Sequence, residues 1–511
     1  AGGGVIGYNS ARPKTIILQM NFVLLGLLTK TKLLIMRYRV VFATLLALVL
    51  WHMAGAQTTV SGGIYNNTIW TLANSPYLMT GSIVVFPGVT LTIEPGVEVR
   101  VKEHSVAEPQ YYLEARGTIN MVGQPSAPIT FRADTALTTV GAWGGFVIKN
   151  SQGGSINYSY VNISNAVNCF GYEAIPDLIQ LTGCNFSYNF QAIAVGIELV
   201  AENCTFTNND VAIYGYTNFT FSDCVFDNNL SAMFIYASRF EMYDCIVKNN
   251  NLGLGLNTGA INGILVKNTV FENNLLAFHN PNNGLIDSCN FIRNAEAVKY
   301  TSDLNISNSN FDNNTTALQV GFGTRVQDCQ IEQNETGIAL GPISFGQPMP
   351  VIENNRICLN QSYNIDNRTD INIFIPTNCF CITDSAEIED KIFDGYDDIT
   401  RGLISYAIFD TTCTIRQSVV DKSGQTTSLN GSEDLDAVRV YPIPVTHHLT
   451  ISNTRAFTAY RLVSLTGQEV LGGGLKDGIN TVDVSHMPAG TYFLGLYGAG
   501  KESLFFTVIH T

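Results

Sequence analysis

The chain reads Cys184-Asn-Phe-Ser-Tyr-Asn189, then Cys204-Thr-Phe-Thr-Asn-Asn209, then Cys224-Val-Phe-Asp-Asn-Asn229. The same short unit recurs as far as residue 360, so that nine copies follow one another. The apolar anchors of the nine copies are Phe186, Phe206, Phe226, Val247, Phe271, Phe291, Phe311, Ile331 and Ile357. Neighbouring anchors are 20 to 26 residues apart, and a period near twenty predicts a solenoid.

Within each unit, counted from the anchor as position 0, the inward and outward positions alternate. Position −5 is apolar, and position +7 is usually apolar. Position −2 is usually Cys, Thr or Ser, so −2 and 0 share one face of a strand. Position −1 varies and is expected to point outward. Position +3 is asparagine in all nine copies: Asn189, Asn209, Asn229, Asn250, Asn274, Asn294, Asn314, Asn334 and Asn360.

This pattern predicts short strands separated by polar turns, with each unit forming one coil of a parallel β-helix. Asparagine tolerates the left-handed backbone that a sharp turn needs, and stacked amides can also hydrogen-bond along the axis. Each coil rises about 4.8 Å, so nine coils make a rod of roughly 40 Å. No leucine-rich pattern and no amphipathic helical period occurs here, which disfavours those repeat classes.

Composition narrows the class of partner. The 511 residues are enough for more than one domain, and only 14% of them are charged. The formal net charge is −14, which argues against nucleic acid, because that partner needs a basic face. Asparagine, glycine, threonine and serine supply the polar surface, as suits an extracellular β-solenoid.

The eleven cysteines fall into two groups. Those at position −2 would have Cβ atoms about 4.8 Å apart on adjacent coils, whereas a disulfide needs about 3.8 Å. We therefore expect mostly buried free thiols there. The second group is Cys358, Cys379, Cys381 and Cys413, for which a metal cluster and a pair of disulfides both remain open, although the C-x-C spacing is a weak zinc signal.

Residues 36–56 have the organisation of a secretory signal peptide. Arg37 and Arg39 precede an apolar run and a small-residue end, which predicts cleavage between Ala56 and Gln57. A membrane anchor is the alternative, but the apolar run is short for a span, so the mature form is expected to have no integral membrane span. Residues 1–35 are interpreted as a non-native upstream extension.

The region after the signal peptide has short strands cut by glycine and proline. The motifs "TLTIEPGVEV" (90–99), "GTINMVG" (117–123), "ITF" (129–131) and "WGG" (143–145) occur in this order. In that order they resemble secreted right-handed parallel β-helix proteins of Gram-negative bacteria, which have a pectate-lyase-like fold. The resemblance implies one all-β solenoid with terminal caps over residues 57–420.

The segment after the last repeat is similar to the closing segment of that family. It has Cys379-Phe-Cys381 where the family usually has Trp-Trp-Gly, which departs from the aromatic packing expected there. Asp384 and Glu387 form a capping-box pattern, and Ile388 and Ile392 lie four residues apart. We expect a short helix with one apolar face that covers the open edge of the last coil.

Residues 421–437 are polar and predict a linker, and residues 438–511 predict a small β-sandwich. Strands are expected at 438–445, 449–451, 460–463, 482–484 and 491–496. An immunoglobulin-like binding module is the alternative interpretation of this domain.

Four motifs in the last domain carry a second resemblance. "YPIPV" (441–445), "LTGQEV" (465–470), "VDVSHMPAGTYFL" (482–494) and "FFTVI" (505–509) resemble the type A sorting domain of type IX secretion cargo. The motif residues are Tyr441, Pro442, Gly467, Gly490 and Tyr492. Ile443 and the ending Ile509-His-Thr511 depart from the family pattern. The resemblance implies recognition by the type IX secretion machinery, removal of this domain, and an extracellular or outer-membrane-surface destination.

Two sets of outward positions are candidates for a functional site. At −3, Asp223 and Asp244 lie on adjacent coils, about 5 Å apart, which suits a retaining carboxylate pair or a calcium site. The same slot holds Gly, Asn and Ser in other coils, so it also fits an ordinary turn. At +8, Tyr214, Phe234, His279 and Lys299 form a stripe that suits stacking on sugar rings, or else an ordinary solvated surface.

These features lead to three functional hypotheses. The first is a non-enzymatic, adhesin-like rod that binds polysaccharides or surface glycans. The second is a polysaccharide lyase or glycoside hydrolase that uses Asp223 and Asp244, and the third is a structural spacer. No cofactor is predicted, and calcium enters only with the enzymatic alternative.

Overall fold

Each predicted repeat is one coil of a parallel β-solenoid, and each coil adds one strand to each of three faces. Equivalent residues pair across neighbouring coils, Phe186 with Phe206 and Phe206 with Phe226. The computed structural model describes residues 2–3 and 57–510, apart from 103–110, 135–137, 173–177, 197, 217, 237–238, 257–262, 344–345, 414–438, 442–444, 453–456, 465–467, 477 and 499–500. The predicted signal peptide with Ala56, the predicted linker, Pro442 and Gly467 lie outside this range.

The first face, called the anchor face, contains the anchor residues. Its strands are Glu98–Val101, Ile129–Ala133, Val161–Ser164, Asn185–Ser187, Thr205–Thr207, Val225–Asp227, Ile246–Lys248, Val270–Glu272, Asn290–Ile292, Asn310–Asp312, Gln330–Glu332 and Arg356–Cys358. Two longer strands, Thr58–Ile64 and Tyr77–Val85, pair with each other at the start of the solenoid and lead into this face and the next.

The second face, called the stripe face, contains positions +5 to +9. Its strands are Tyr112–Ala115, Trp143–Ile148, Ala166–Tyr172, Gln191–Val195, Val211–Gly215, Ser231–Ile235, Leu252–Leu256, Leu276–His279, Glu296–Lys299, Thr316–Val320, Thr336–Leu340, Tyr363–Asn367 and Ile392–Phe393.

The third face precedes each anchor strand. Its strands are Leu178–Thr182, Glu198–Glu202, Phe219–Ser222, Phe240–Tyr243, Ile264–Lys267, Asn282–Asp287, Ser302–Ser307, Arg325–Gln327 and Val351–Glu353. A separate four-stranded sheet serves the earliest coils, with strands Thr68–Trp70, Thr90–Ile93, Thr118–Val122 and Ser155–Ser159. Two 3-10 turns, Leu72–Asn74 and Asn150–Gln152, complete the N-terminal part.

The interior of the rod is built from stacked identical side chains. The rings of Phe271 and Phe291 lie 4.7 Å apart and are parallel within 3°, and Phe291 repeats this with Phe311 at 4.8 Å. These separations equal the rise of one coil, because the residues occupy the same position in register. The predicted inward positions −5, 0 and +7 are buried throughout the repeats.

The corners of the coils correct one sequence expectation. The left-handed backbone belongs to the residue before the conserved asparagine, for example Asn208 (φ 57°) and Asn228 (φ 56°), and not to Asn209 or Asn229. The conserved asparagines turn inward and are buried, and each Nδ2 donates to the next Oδ1 at 2.9–3.0 Å from Asn189 to Asn360. The amide ladder is therefore present, while the turn geometry is supplied one position earlier.

The C-terminal cap agrees with the prediction in part. The helix Ser385–Glu389 begins after Asp384, whose side chain accepts the N–H groups of Ala386 and Glu387. Ile388 is buried, as expected from the apolar pattern. Ile392, however, lies in a two-residue strand that pairs with Ile365, so that a strand and not the helix extends the stripe face here. Two further short strands, Ile373–Phe374 and Ile404–Ser405, pair with each other.

Residues 439–510 form two antiparallel sheets around a separate buried cluster that includes Leu449, Leu462 and Leu494. One sheet consists of Arg439–Tyr441, His448–Ser452 and Ile479–Asp483, and the other of Glu469–Gly474, Ala459–Ser464, Gly490–Gly498 and Lys501–His510. The strands Glu469–Gly474 and Lys501–His510 were not predicted. Three consecutive glycines end the first of them, and glycine has a low strand propensity.

Candidate functional site

The outward stripe at +8 is a continuous row on the stripe face. Tyr214 pairs in register with Phe234, Phe234 with Gly255, Gly255 with His279, and His279 with Lys299. Consecutive members are therefore one coil apart, about 4.8 Å along the rod. The structure thus brings the four predicted stripe residues into one line, with a glycine at its centre.

Four aromatic rings form a cluster at one end of this row. Tyr214 stacks with Phe234 at 6.2 Å, and Tyr216 stacks with Tyr236 at 4.7 Å. The two stacks are nearly perpendicular, since Tyr214 meets Tyr216 at 88° and Phe234 meets Tyr236 at 87°. Perpendicular and offset ring contacts are favourable, so each ring holds its neighbours in place. We call these four residues the aromatic cluster.

The sequence interpretation missed Tyr216 and Tyr236. Each stands two residues after a stripe residue, in Tyr214-Gly-Tyr216 and Phe234-Ile-Tyr236, and side chains two apart share one side of a strand. That spacing was the available signal. Tyr216 is the most exposed of the four, with 54% of its surface open to solvent.

The hydroxyls of Tyr214 and Tyr216 interact directly. The Oη atoms of Tyr214 and Tyr216 lie 2.5 Å apart, and this hydrogen bond raises the pKa of Tyr214 to about 12. The Tyr214 hydroxyl therefore stays protonated at physiological pH. The cluster thus combines flat apolar rings with neutral groups that can donate and accept hydrogen bonds.

Further apolar side chains lie on the stripe face and at the corner leading into it. A Cβ atom added at Gly255 would meet Leu252 at 2.9 Å and Phe234 at 3.3 Å, so Leu252 leans over the glycine toward the ring. Leu230 and Leu275, at the corner leading into the stripe face, are 57% and 63% exposed. Apolar groups gathered in this way on a soluble surface mark an interaction site.

The other end of the stripe carries a mixed group. The Lys299 Nζ lies 2.6 Å from Glu296 Oε2 and 5.1 Å from the centre of the Tyr300 ring, while His279 meets Tyr300 edge-on. Partial burial, and next the Lys299 charge, lower the pKa of His279, so that its imidazole is neutral at pH 7. This end of the stripe is therefore only weakly positive.

The predicted carboxylate pair lies away from the stripe face, at exposed turns. Asp223 (φ 52°) and Asp244 (φ 53°) occupy equivalent left-handed corners between the third face and the anchor face. Asn268, at the same corner of the next coil, donates to Asp244 Oδ1 at 3.2 Å. The slot thus serves as a turn position along the rod, while its two carboxylates remain on neighbouring coils as predicted.

The cysteines follow the two predicted groups. Cys184, Cys204, Cys224, Cys245, Cys289 and Cys329 are buried free thiols, as is Cys169. At the cap, Cys358 bonds to Cys381 and Cys379 bonds to Cys413. Of the two interpretations left open, the structure has the pair of disulfides, and sulfur atoms in disulfides are not the thiolates that a zinc site requires.

In the last domain, the described motif residues serve the fold. Gly490 begins the strand Gly490–Gly498, and the buried Tyr492 donates its hydroxyl proton to the carbonyl of Pro488 at 2.7 Å. Tyr441 ends the strand Arg439–Tyr441. No helix in the described part of the chain is long and apolar enough to span a bilayer.

Comparison with known proteins identified two domains. Residues 62–167 match the family model of a pectate-lyase-like β-helix domain, and residues 439–509 match that of a secretion system C-terminal sorting domain. Among solved structures, the A-module of the mannuronan C-5 epimerase AlgE6 of Azotobacter vinelandii aligns at 14% identity and a TM-score of 0.13, covering 64% of this chain and 78% of that one. A comparison with curated proteins gave no match.

The two family matches agree with the parallel solenoid and with the separate antiparallel unit at the C-terminal end. A sorting domain of this kind directs its cargo to the cell surface or the extracellular space. The chain is a secreted, pectate-lyase-like β-helix protein with a C-terminal sorting domain of type IX secretion.

Proposed function

We propose that this protein binds glycans outside the cell through the aromatic cluster on its stripe face, without chemical conversion of the ligand. The observation that carries the proposal is the arrangement of Tyr214, Tyr216, Phe234 and Tyr236 as four mutually packed rings on an outward surface. These outward rings, of which Tyr216 is exposed and the other three are half-buried, lie outside the core, which the inward residues already fill.

Aromatic rings suit a sugar ligand for a physical reason. One face of a pyranose ring presents C–H groups that pack on a flat ring, while its hydroxyls need nearby hydrogen-bond partners. The hydroxyls of Tyr214 and Tyr216 supply such partners beside the rings. Because the strands below are locked by coil-to-coil pairing, binding orders few residues, and a preorganised surface loses less affinity to entropy.

Substitution of the rings tests the proposal. Secreted wild type is screened on a glycan array, and a ligand found there is then titrated with Tyr214→Ala, Phe234→Ala and the double variant. Each lost ring removes about 1 kcal/mol, or roughly fivefold in affinity. The matched control is Tyr243→Ala, which removes an outward tyrosine from the third face. Equal affinity in all variants, or no ligand on the array, contradicts the proposal, and the second result favours a structural spacer.

The enzymatic alternative is supported by the position of Asp223 and Asp244 on neighbouring coils. A screen of acidic polysaccharides with Ca²⁺ addresses it directly. New unsaturated or reducing ends that disappear in Asp223→Asn would replace binding by lyase or hydrolase chemistry.

We also propose that the chain is cleaved twice during export. Cleavage between Ala56 and Gln57 and later removal of residues 438–511 would leave the β-helix, residues 57–420, with the 421–437 linker as the mature product. N-terminal sequencing and intact mass of the secreted protein test both cuts, and a mature N-terminus other than Gln57 contradicts the first.

A further inference from the structure

A cavity of about 230 Å³ lies in the C-terminal cap, away from the aromatic cluster. Its lining residues are Asn372, Glu389, Tyr396, Leu403, Ile404, Ser405, Tyr406 and Ala407. The volume is several times the roughly 30 Å³ that one water molecule occupies in the liquid. We call this space the cap cavity.

In the cap cavity, the carboxylate of Glu389 has a hydrogen-bond donor at one of its two oxygens. Glu389 ends the cap helix, and its Oε2 accepts the hydroxyl proton of Tyr406 at 2.8 Å. Its Oε1 is buried and has no hydrogen-bond partner among the described residues. A buried carboxylate oxygen without a donor is unfavourable, which is unusual unless a ligand or water meets it.

The charges around Glu389 are of the same sign. Burial raises its pKa, and Asp390, Asp394 and Asp397 raise it further. No basic side chain occurs among the lining residues. Two cationic side chains of the cap are engaged elsewhere, since Lys391 donates to the carbonyl of Gln361 and Arg401 pairs with Asp366.

The remaining lining groups suit a small organic cation, because aromatic rings lie beside the carboxylate. Tyr406 packs edge-on against Phe380, so its ring is held in place beside the carboxylate. Tyr396 is 75% exposed and provides a second ring of the lining. An ammonium group interacts favourably with both a carboxylate and an aromatic face.

We propose that the cap cavity binds a primary ammonium group of a small molecule, of the class carried by amino sugars and alkylamines, with Glu389 Oε1 as its acceptor. The hydrogen bond from Tyr406 orients the carboxylate, and the ring of Tyr396 contacts the organic part of the ligand. This site is independent of the aromatic cluster.

Isothermal titration of the secreted protein tests the site, with glucosamine and ethanolamine as probes and glucose as the neutral counterpart. Wild type is expected to bind both amines, and glucose at least tenfold more weakly. Glu389→Gln keeps the shape and can still accept from Tyr406, yet it is expected to lose at least tenfold in amine affinity. Tyr243→Ala, an outward position on the third face, lies outside both proposed sites and is expected to bind amines as wild type does.

Three outcomes overturn the proposal. They are the absence of amine binding to wild type, equal binding of glucose and glucosamine, and amine binding that persists in Glu389→Gln. The comparison of glucose with glucosamine needs no variant, so it remains decisive even if a cap substitution disturbs folding. Binding of glucosamine without ethanolamine would assign the site to amino sugars, and binding of both would assign it to the ammonium group alone.

Discussion

Asn294 and Asn314 are joined twice: the Oδ1 of Asn314 accepts the backbone N–H of Asn294 at 2.8 Å and its side-chain Nδ2 at 3.0 Å. The Nδ2 of Asn294 also donates to the carbonyl of Phe271 at 3.0 Å. One side chain thus satisfies several buried groups at the corner where the backbone leaves the anchor face. Buried backbone groups need such partners, which explains why position +3 does not vary.

The first prediction concerns this ladder. Asn314→Ala removes the acceptor of two buried donors on Asn294 and a donor to Phe291, so we expect a loss of about 3 kcal/mol or more in unfolding free energy. Asn310→Ala, at an outward position of the same coil, is expected to change stability by less than about 0.5 kcal/mol. Urea unfolding followed by circular dichroism compares them, and similar midpoints for the two variants would refute the ladder's role.

The second prediction concerns the thiols inside the rod. Seven cysteines are free and buried, and burial raises the pKa of Cys289 and Cys329 to about 12. Since the thiolate is the reactive form, none of the seven is expected to react with Ellman's reagent at pH 8 in the folded protein. We expect seven thiols after unfolding and eleven after reduction. Rapid reaction of these thiols in the folded protein would contradict the prediction, because it would show that the rod opens.

The third prediction concerns the cap disulfide between Cys379 and Cys413, which are 34 residues apart in sequence. Closing a loop of that length lowers the entropy of the unfolded chain, which raises the free energy of unfolding by about 3–4 kcal/mol. Replacing both cysteines by serine should therefore accelerate hydrogen exchange at the backbone N–H of residue 379 and its neighbours, while coils around Asn209 keep their protection. Unchanged exchange in the cap would mean that packing alone holds it.

The fourth prediction is a pH dependence at Glu389. Its folded-state pKa is raised by burial and by Asp390, Asp394 and Asp397, so the folded state holds the proton more tightly than the unfolded chain does. The resulting stabilisation is present below the ordinary glutamate pKa and is lost as the pH rises through the raised value. The melting temperature of Glu389→Gln minus that of wild type should therefore be larger at pH 8 than at pH 4.

Glu387→Gln is the matched control for that measurement, because this exposed glutamate lies on the same helix and loses the same charge. Its difference from wild type is subtracted from that of Glu389→Gln at each pH, so that the loss of one negative charge from the helix is accounted for. A Glu389→Gln difference that does not grow between pH 4 and pH 8 would contradict the raised pKa.

Much of the rod could be predicted because its interactions repeat locally. Phe271, Phe291 and Phe311 occupy one position of a unit, so a fixed period is sufficient to stack them. The left-handed residue was misplaced by one, since asparagine is common both at Asn208 and at Asn209, and composition does not separate a turn position from a ladder position. The strand at Ile392 was missed because a spacing of four also fits a helix.

The coil period, the inward and outward positions, the buried thiols and the secretion domain followed from the amino-acid sequence alone, because each depends on residues close together in the chain or repeated at one interval. The folded structure was needed to show how Tyr214, Tyr216, Phe234 and Tyr236 meet, how four cap cysteines pair, and that Glu389 faces Tyr406. The ring contacts depend on which outward side chains of neighbouring coils are large enough to touch. The cap contacts join segments that the repeat does not relate, so their geometry depends on how the chain closes at the end of the rod.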